Sequence, residues 1–296
     1  MILVDGISPL GDDDPSRIGE FRLSGRLGGG GMGQVFLGFS PGGRAVAVKL
    51  IHPELVHDQG FRERFRREVA AARRVSGIYT APVVAAGPDD PIPWLATAFV
   101  PGPSLAHLVT THGPLPPEAV WKLAGGLTEA LSVIHSNGLV HRDLKPANVL
   151  LAADGPRVID FGISQALGTS GLTTAGVVVG TPAFMSPEQA QGLPASQASD
   201  VFALGAVLAF TATGTAPFGA GTPMSVLHRL VSEPPDLGDV PGPLRDLILR
   251  CLAKDAAERP ALSTVLEAIS TADGEPADAS FWPEPFGDLI RSSEAQ

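Results

Sequence analysis

The chain has 296 residues, 44% of them hydrophobic, and a formal net charge of -10. That is enough chain to bury a sizeable core, or two lobes sharing one cleft, and the acidic balance argues against nucleic-acid binding, which needs a concentrated basic surface. Cys251 is the only cysteine, so no intramolecular disulfide and no Cys-rich metal site can be built, and a reducing compartment fits.

Residues 1–20 are rich in Gly, Pro and Asp, with Asp12, Asp13, Asp14 and Pro15 in succession, and read as a flexible, solvated lead-in. The opening MILVDG carries Asp5 and no leading basic residue, unlike a signal peptide. Strands are expected over 21–27, 34–39 and 45–50, separated by a glycine loop and the turn SPGGR. Phe61, Phe65, Val69 and Ala72 recur at spacings of four, four and three, which predicts an amphipathic helix over 61–75. Its polar face holds Arg62, Arg64, Arg66, Arg67 and Glu68, the arginines being read as a solvated surface.

The run 95–100 reads as a buried strand ending in the turn PGPS. Val120, Leu123, Leu127, Leu131 and Ile134 predict a helix over 118–136, stopped by Asn137 and Gly138. The almost wholly apolar 201–211 predicts a core helix, since a membrane span needs roughly 18 residues. Helices over 244–252 and 261–269 follow, the second opened by Pro260. A mostly β front third and a mostly helical remainder imply two lobes, with no internal repeat. Residues 271–296 are acidic, with Phe281, Trp282 and Phe286 set among prolines, and are expected to form a flexible tail, a docking strip or the start of a linker.

Short motifs carry the chemistry: LGGGGMGQV from Leu27 to Val35, VAVK ending at Lys49, HRDLKPAN from His141 to Asn148, DFG from Asp160 to Gly162, and SPE from Ser186 to Glu188. Glycines at 28, 30 and 33 let backbone amides approach phosphates. A Rossmann loop would open a helix, but the segment after Gly33 reads as a strand, and the Gly-Lys-Ser/Thr ending of a Walker loop is absent. In HRDLKPAN, Asp143 can take a hydroxyl proton, Lys145 supplies a cation and Asn148 an amide oxygen for a metal ion.

In this order and span the motifs resemble the protein-kinase signature set, nearest to bacterial kinases of the eukaryotic-like (Hanks-type) serine/threonine class. The resemblance covers about residues 21–270 and implies an α+β, two-lobed fold: a small antiparallel β-rich lobe with one helix, about 21–100, and a larger helical lobe, about 101–270. It implies ATP and Mg2+ in the cleft between the lobes. Leu27, Gly28, Gly29, Gly30, Gly31, Met32, Gly33, Val35 and Ala47 would cover the nucleotide, with Thr97 as gatekeeper and Ala98, Phe99 and Val100 meeting adenine. Lys49 would contact the α- and β-phosphates and pair with Glu68; Glu63 is the rival, better explained as an exposed partner of Arg67. Asn148 and Asp160 would hold the metal, while Phe161 packs inward.

Between Asp160 and Glu188 the resemblance implies an activation segment with Thr169, Ser170, Thr173, Thr174 and Thr181. Thr181 would contact Asp143 and Lys145, and Glu188 would pair with Arg259. Asp200 is expected as a helix N-cap, a role compatible with anchoring the catalytic loop. Arg142 beside Asp143 implies that a phosphate on Thr173 or Thr174 could join it, with Gln165 weakening the clamp where a basic residue often stands. Met32 and Ser186 are further departures from the usual pattern.

The function expected is γ-phosphoryl transfer from Mg-ATP to serine or threonine hydroxyls of proteins, including the chain itself, with a homodimer for phosphorylation in trans. Neither a nucleic-acid partner nor a membrane segment is expected, and the location is cytoplasmic, or the cytosolic part of a membrane-anchored protein. A pseudokinase scaffold is the alternative, disfavoured by intact Lys49, Glu68, Asp143, Asn148 and Asp160. A small-molecule phosphotransferase is disfavoured by the peptide-docking character of the segment ending at Glu188.

Overall fold

Alternation of apolar and polar residues builds the front lobe. In the computed structural model, which describes residues 7–56, 60–161, 182–272, 281–284 and 286–294, β1 (Arg17–Ile18), β2 (Phe21–Gly30), β3 (Gly33–Phe39), β4 (Ala45–Ile51), β5 (Val83–Gly87) and β6 (Trp94–Ala98) form one six-stranded sheet. The order is β1-β2-β3-β4-β6-β5, antiparallel throughout. Phe21, Leu23 and Leu27 of β2 are buried while Arg22 and Ser24 between them are exposed, so one face of the strand is committed to the core.

A short turn of helix, α1 (Pro53–Val56), precedes α2 (Phe61–Ala72), whose apolar stripe lies buried against the sheet. α2 ends before the expected 75 because the chain tightens: Arg74 and Val75 donate to the carbonyls three residues back, Ala71 and Ala72. Val75 then turns into the back-lobe core at 1% exposure.

The back lobe packs α3 (Leu105–His112), α4 (Pro117–Ser136), the two-stranded pair β7 (Val149–Ala152) and β8 (Gly155–Val158), α5 (Pro187–Ala190), α6 (Gln197–Thr213), α7 (Pro223–Ser232), α8 (Gly242–Cys251), α9 (Leu262–Ala272) and α10 (Phe286–Glu294). α6 is buried on nearly every side, so its apolar run is a core helix as expected. β5, α3, α7 and α10 were not anticipated. α3 carries Val109, Thr110 and Thr111, β-branched residues that weaken helical propensity, whereas α7 carries a helical signal that was passed over, with Thr222 as N-cap, Pro223 in the first turn and the stripe Val226, Leu227 and Leu230.

The described parts of the lead-in and of the tail, expected to be flexible, pack against the lobes. Ser8 and Arg26 exchange backbone hydrogen bonds of 3.0 and 2.7 Å, and the Asp14 carboxylate accepts from Arg26 Nε and Nη2 at 2.6 and 2.8 Å. The part of the lead-in from Ser8 is therefore held along β2, and Ile18 is buried.

The described part of the tail also docks. Trp282 is 1% exposed, its indole N–H donates to Ala152 O at 2.7 Å, and Phe286 and Ile290 of α10 enter the same core. Phe281 meets the Tyr79 ring at 5.8 Å. Aromatic burial outweighs the acidic composition from which flexibility was read. Trp282→Ala should therefore lower the unfolding free energy by about 3–5 kcal/mol. Urea denaturation checks this, and a loss below about 1 kcal/mol would mean that the tail detaches before the lobe unfolds.

Candidate active site

A cleft lies between the lobes, lined by Leu27, Val35, Ala47, Lys49, Leu95, Thr97, Ala98, Phe99, Val100, Leu150, Ile159 and Asp160. Strand register explains the upper wall, because Ala47 of β4 lies opposite Thr97 of β6. Leu95, Leu150 and Ile159 were not anticipated. Leu150 is two residues beyond Asn148 and Ile159 directly precedes Asp160, so the segments that carry the polar residues supply the apolar floor as well.

Gly28, Gly29, Gly30 and Gly33 extend β2 and β3 into a hairpin with Gly31 and Met32 at its tip. Gly33 must lack a side chain, since a Cβ there would stand 1.9 Å from Leu50 O. Gln34 Nε2 donates to Gly28 O at 2.9 Å, and the His52 ring lies 3.1 Å from Gly30 O, so side chains at its base steady the hairpin.

One carboxylate organises the catalytic loop. Asp200 Oδ2 accepts from His141 N and Oδ1 from Arg142 N, at 2.7 and 2.8 Å, and His135 Nε2 lies 2.7 Å from Oδ2. Asp200 sits inside the first turn of α6, whose N-cap is Ser196, so the N-cap expectation is corrected and the anchoring role remains. Burial pushes His141 below its usual imidazole range, favouring a neutral ring whose Nδ1 faces the Asp143 N–H at 3.3 Å.

The three chemical groups of the loop converge. Lys145 Nζ donates to Asp143 Oδ2 at 2.7 Å, and Asn148 Nδ2 donates to Asp143 O at 2.8 Å. The Asp143 side chain keeps 47% exposure, so an incoming hydroxyl can reach it. With Asn148 Nδ2 engaged, its amide oxygen is the atom available to a metal.

Asp160 follows β8 with φ 60°, a left-handed conformation that is rare outside glycine. Burial works against its charge, but the charge and hydrogen bond of Lys49, with Nζ 2.9 Å from Oδ2, hold the carboxyl below the usual carboxylate range. Lys49 is thus bound to Asp160 rather than to Glu68, which corrects the expected pairing. Glu68 is buried, with Oε1 3.7 Å from Arg142 Nη1. Glu63 is exposed and pairs with Arg66, not Arg67. Phe161 packs into the back-lobe core, as expected.

Glu188 receives two hydrogen bonds from Arg259, both 2.8 Å, and one from Ser199 Oγ at 2.6 Å. This is the pairing expected from the motifs. Gly162, Gln165, Thr169, Ser170, Thr173, Thr174 and Thr181 lie outside the described residues. Among the described residues no helix is long and apolar enough to cross a membrane.

Comparison with known proteins decides the family: the profile described as Protein kinase domain matches residues 21–269. The chain belongs to the protein kinase domain family. It is 52% identical over 287 residues to the "Probable serine/threonine-protein kinase PkwA" of Thermomonospora curvata, covering 97% of this chain and 38% of that protein. It is 50% identical over 292 residues to the serine/threonine-protein kinase AfsK of Streptomyces griseus, covering 96% of this chain and 36% of that protein. The chain thus spans little more than a third of either relative's length. The crystal structure of the Mycobacterium tuberculosis PknI kinase domain superposes with a TM-score of 0.68 at 25% identity, covering 86% of this chain and 96% of that one. These likenesses place the kinase domain among the bacterial eukaryotic-like, Hanks-type serine/threonine kinases, a family that uses ATP and Mg2+.

Proposed function

We propose that this kinase domain, running over about 21–270, transfers the γ-phosphoryl group of Mg-ATP to serine or threonine hydroxyls of proteins. The observation that carries the reading is the convergence of Asp143, Lys145 and Asn148 on one loop, alongside Lys49 and Asp160 at the end of the apolar cleft. The donor set fits the cofactor: an ionised carboxylate and an amide oxygen suit a hard cation, and the apolar walls suit a neutral base.

In this reading Asn148 and Asp160 would hold Mg2+, Lys49 the α- and β-phosphates, the glycine hairpin the remaining phosphate oxygens, and Ala98 to Val100 the adenine. When bound, Mg-ATP supplies the phosphoryl group and neutralises the charge on its oxygens. Asp143 orients the acceptor hydroxyl and takes its proton, while Lys145 balances charge beside it. Glu68, buried on α2, would be a second carboxylate partner for Lys49. Thr181 would support Asp143 and Lys145, and a phosphate on Thr173 or Thr174 would join Arg142, placed there by a second copy of the chain. Such chemistry suits a cytoplasmic location.

The test is incubation with γ-labelled Mg-ATP, with and without a generic protein acceptor, followed by phosphosite mapping. Mg2+-dependent label on serine or threonine is expected, on the acceptor or on the chain itself. Nucleotide binding without transfer to either would favour the pseudokinase.

The hinge gives a second test. Thr97→Met fills the space behind the adenine position, and overpacking of about 1–3 kcal/mol should weaken bulky ATP-competitive inhibitors roughly tenfold or more. ATP, which does not reach that space, should lose far less. Equal losses in a binding titration would show that Thr97 is not the gatekeeper.

A further inference from the structure

Arg142 is a non-glycine residue at φ 69°, a conformation that persists only where its surroundings enforce it. Its N–H is held by Asp200 from α6. Its carbonyl, the oxygen of the peptide that leads into Asp143, accepts from Gln189 Nε2 at 2.9 Å. No other donor among the described residues reaches that oxygen. The N–H of the same peptide faces His141 Nδ1 at the longer distance of 3.3 Å. Gln189 therefore makes the shorter of the two contacts that fix the plane of this peptide.

The orientation of the Gln189 amide follows from its other end. Oε1 accepts from Ser186 N and Ser186 Oγ, both at 3.1 Å, in a capping box at the start of α5. Only the amide N–H2 can then face the Arg142 carbonyl, so the position needs an acceptor and a donor on one side chain. α5 is itself immobilised, because the adjacent residue Glu188 is clamped by Arg259 and Ser199.

We propose that Gln189 is a positioning residue for phosphoryl transfer: its Nε2 holds the peptide preceding Asp143 and so aims the Asp143 carboxylate at the acceptor hydroxyl. This rests on the function proposed above. The consequence is that Gln189, which lies outside the lining of the nucleotide cleft, sets the geometry of the proton-accepting group. A displacement of only about an ångström at such a group costs on the order of a hundredfold in rate.

The test compares the unmodified domain with Gln189→Glu and Gln189→Met, using Mg-ATP and one protein acceptor, with rates normalised to nucleotide sites titrated in each preparation. Gln189→Glu keeps an acceptor for Ser186 but presents a carboxylate oxygen to the Arg142 carbonyl. Gln189→Met has similar length and no donor. Both should lower kcat about tenfold or more while KM for ATP stays within about twofold, and the amides of 142–144 should exchange hydrogen faster than in the unmodified domain. Rates equal to the unmodified domain in both variants would overturn the proposal. So would a loss that vanishes on normalisation, since that is the mark of a merely structural role. If the unmodified domain transfers no phosphate, the functional reading fails instead. Hydrogen exchange then still decides whether Gln189 holds the loop, with unchanged protection counting against it.

Discussion

Asp160→Asn is expected to cut phosphoryl transfer on the order of a thousandfold while the domain stays folded, because in the proposed assignment it would remove an anionic metal ligand and the transition-state stabilisation that depends on it. Asn keeps the size of the side chain and an oxygen that can still accept from Lys49 Nζ, the present partner at 2.9 Å. What it cannot keep is the charge. The Lys49 side chain is only 12% exposed, so neutralising its counter-ion leaves an ammonium poorly compensated. The thermal midpoint should therefore fall by a few degrees at most, while the Mg2+ dependence of ATP binding flattens. Steady-state rates and a nucleotide titration with and without Mg2+ check both parts. Turnover within about twofold of the unmodified domain would refute the metal role assigned to Asp160.

Arg259→Ala should produce the largest loss of stability from a single charged side chain. The Arg259 side chain is fully buried and spans Glu188, Ala198, Ala253 and Lys254 through Nε, Nη1 and Nη2. Its removal strands the Glu188 carboxylate, whose side chain is 15% exposed, at a cost of about 3 kcal/mol or more. The pH dependence supplies an independent signature. Burial would push the Glu188 carboxyl up, but hydrogen bonds from Arg259 and Ser199 bring it down to about 2 from 4.5.

A folded-state value below the unfolded one means stability that is fully present above pH 4.5 and is lost as pH falls toward about 2. Without Arg259 burial dominates and the sign reverses. The gap in unfolding free energy between Arg259→Ala and the unmodified domain should thus be widest near neutrality and narrow below pH 4.5. A gap independent of pH would show that the guanidinium acts through its backbone carbonyl contacts and not through Glu188.

Much of the active site was legible because its chemistry is local. Asp143, Lys145 and Asn148 lie within one short loop, so their side chains start close together, and Lys145 and Asn148 contact Asp143 at 2.7 and 2.8 Å. The two-lobed architecture was legible for a similar reason: period-two strands and period-four helical stripes record which face is buried. Glu188 and Arg259 are distant in sequence, and their pairing was read from the motifs rather than from any local pattern.

The tertiary structure decided what depends on competition between distant groups. Whether Lys49 binds Glu68 or Asp160 turns on which carboxylate approaches more closely in the folded cleft, and strand periodicity carries no information about that. Trp282 was visible as an aromatic residue in an acidic stretch, but only the fold supplies the Ala152 carbonyl and the apolar pocket that make its burial favourable. The link from Gln189 to Arg142 crosses 47 residues of chain and joins an amide side chain to a main-chain oxygen. A main-chain acceptor has no residue type to announce it, so the sequence carries the donor's identity and the three-dimensional arrangement alone supplies its partner.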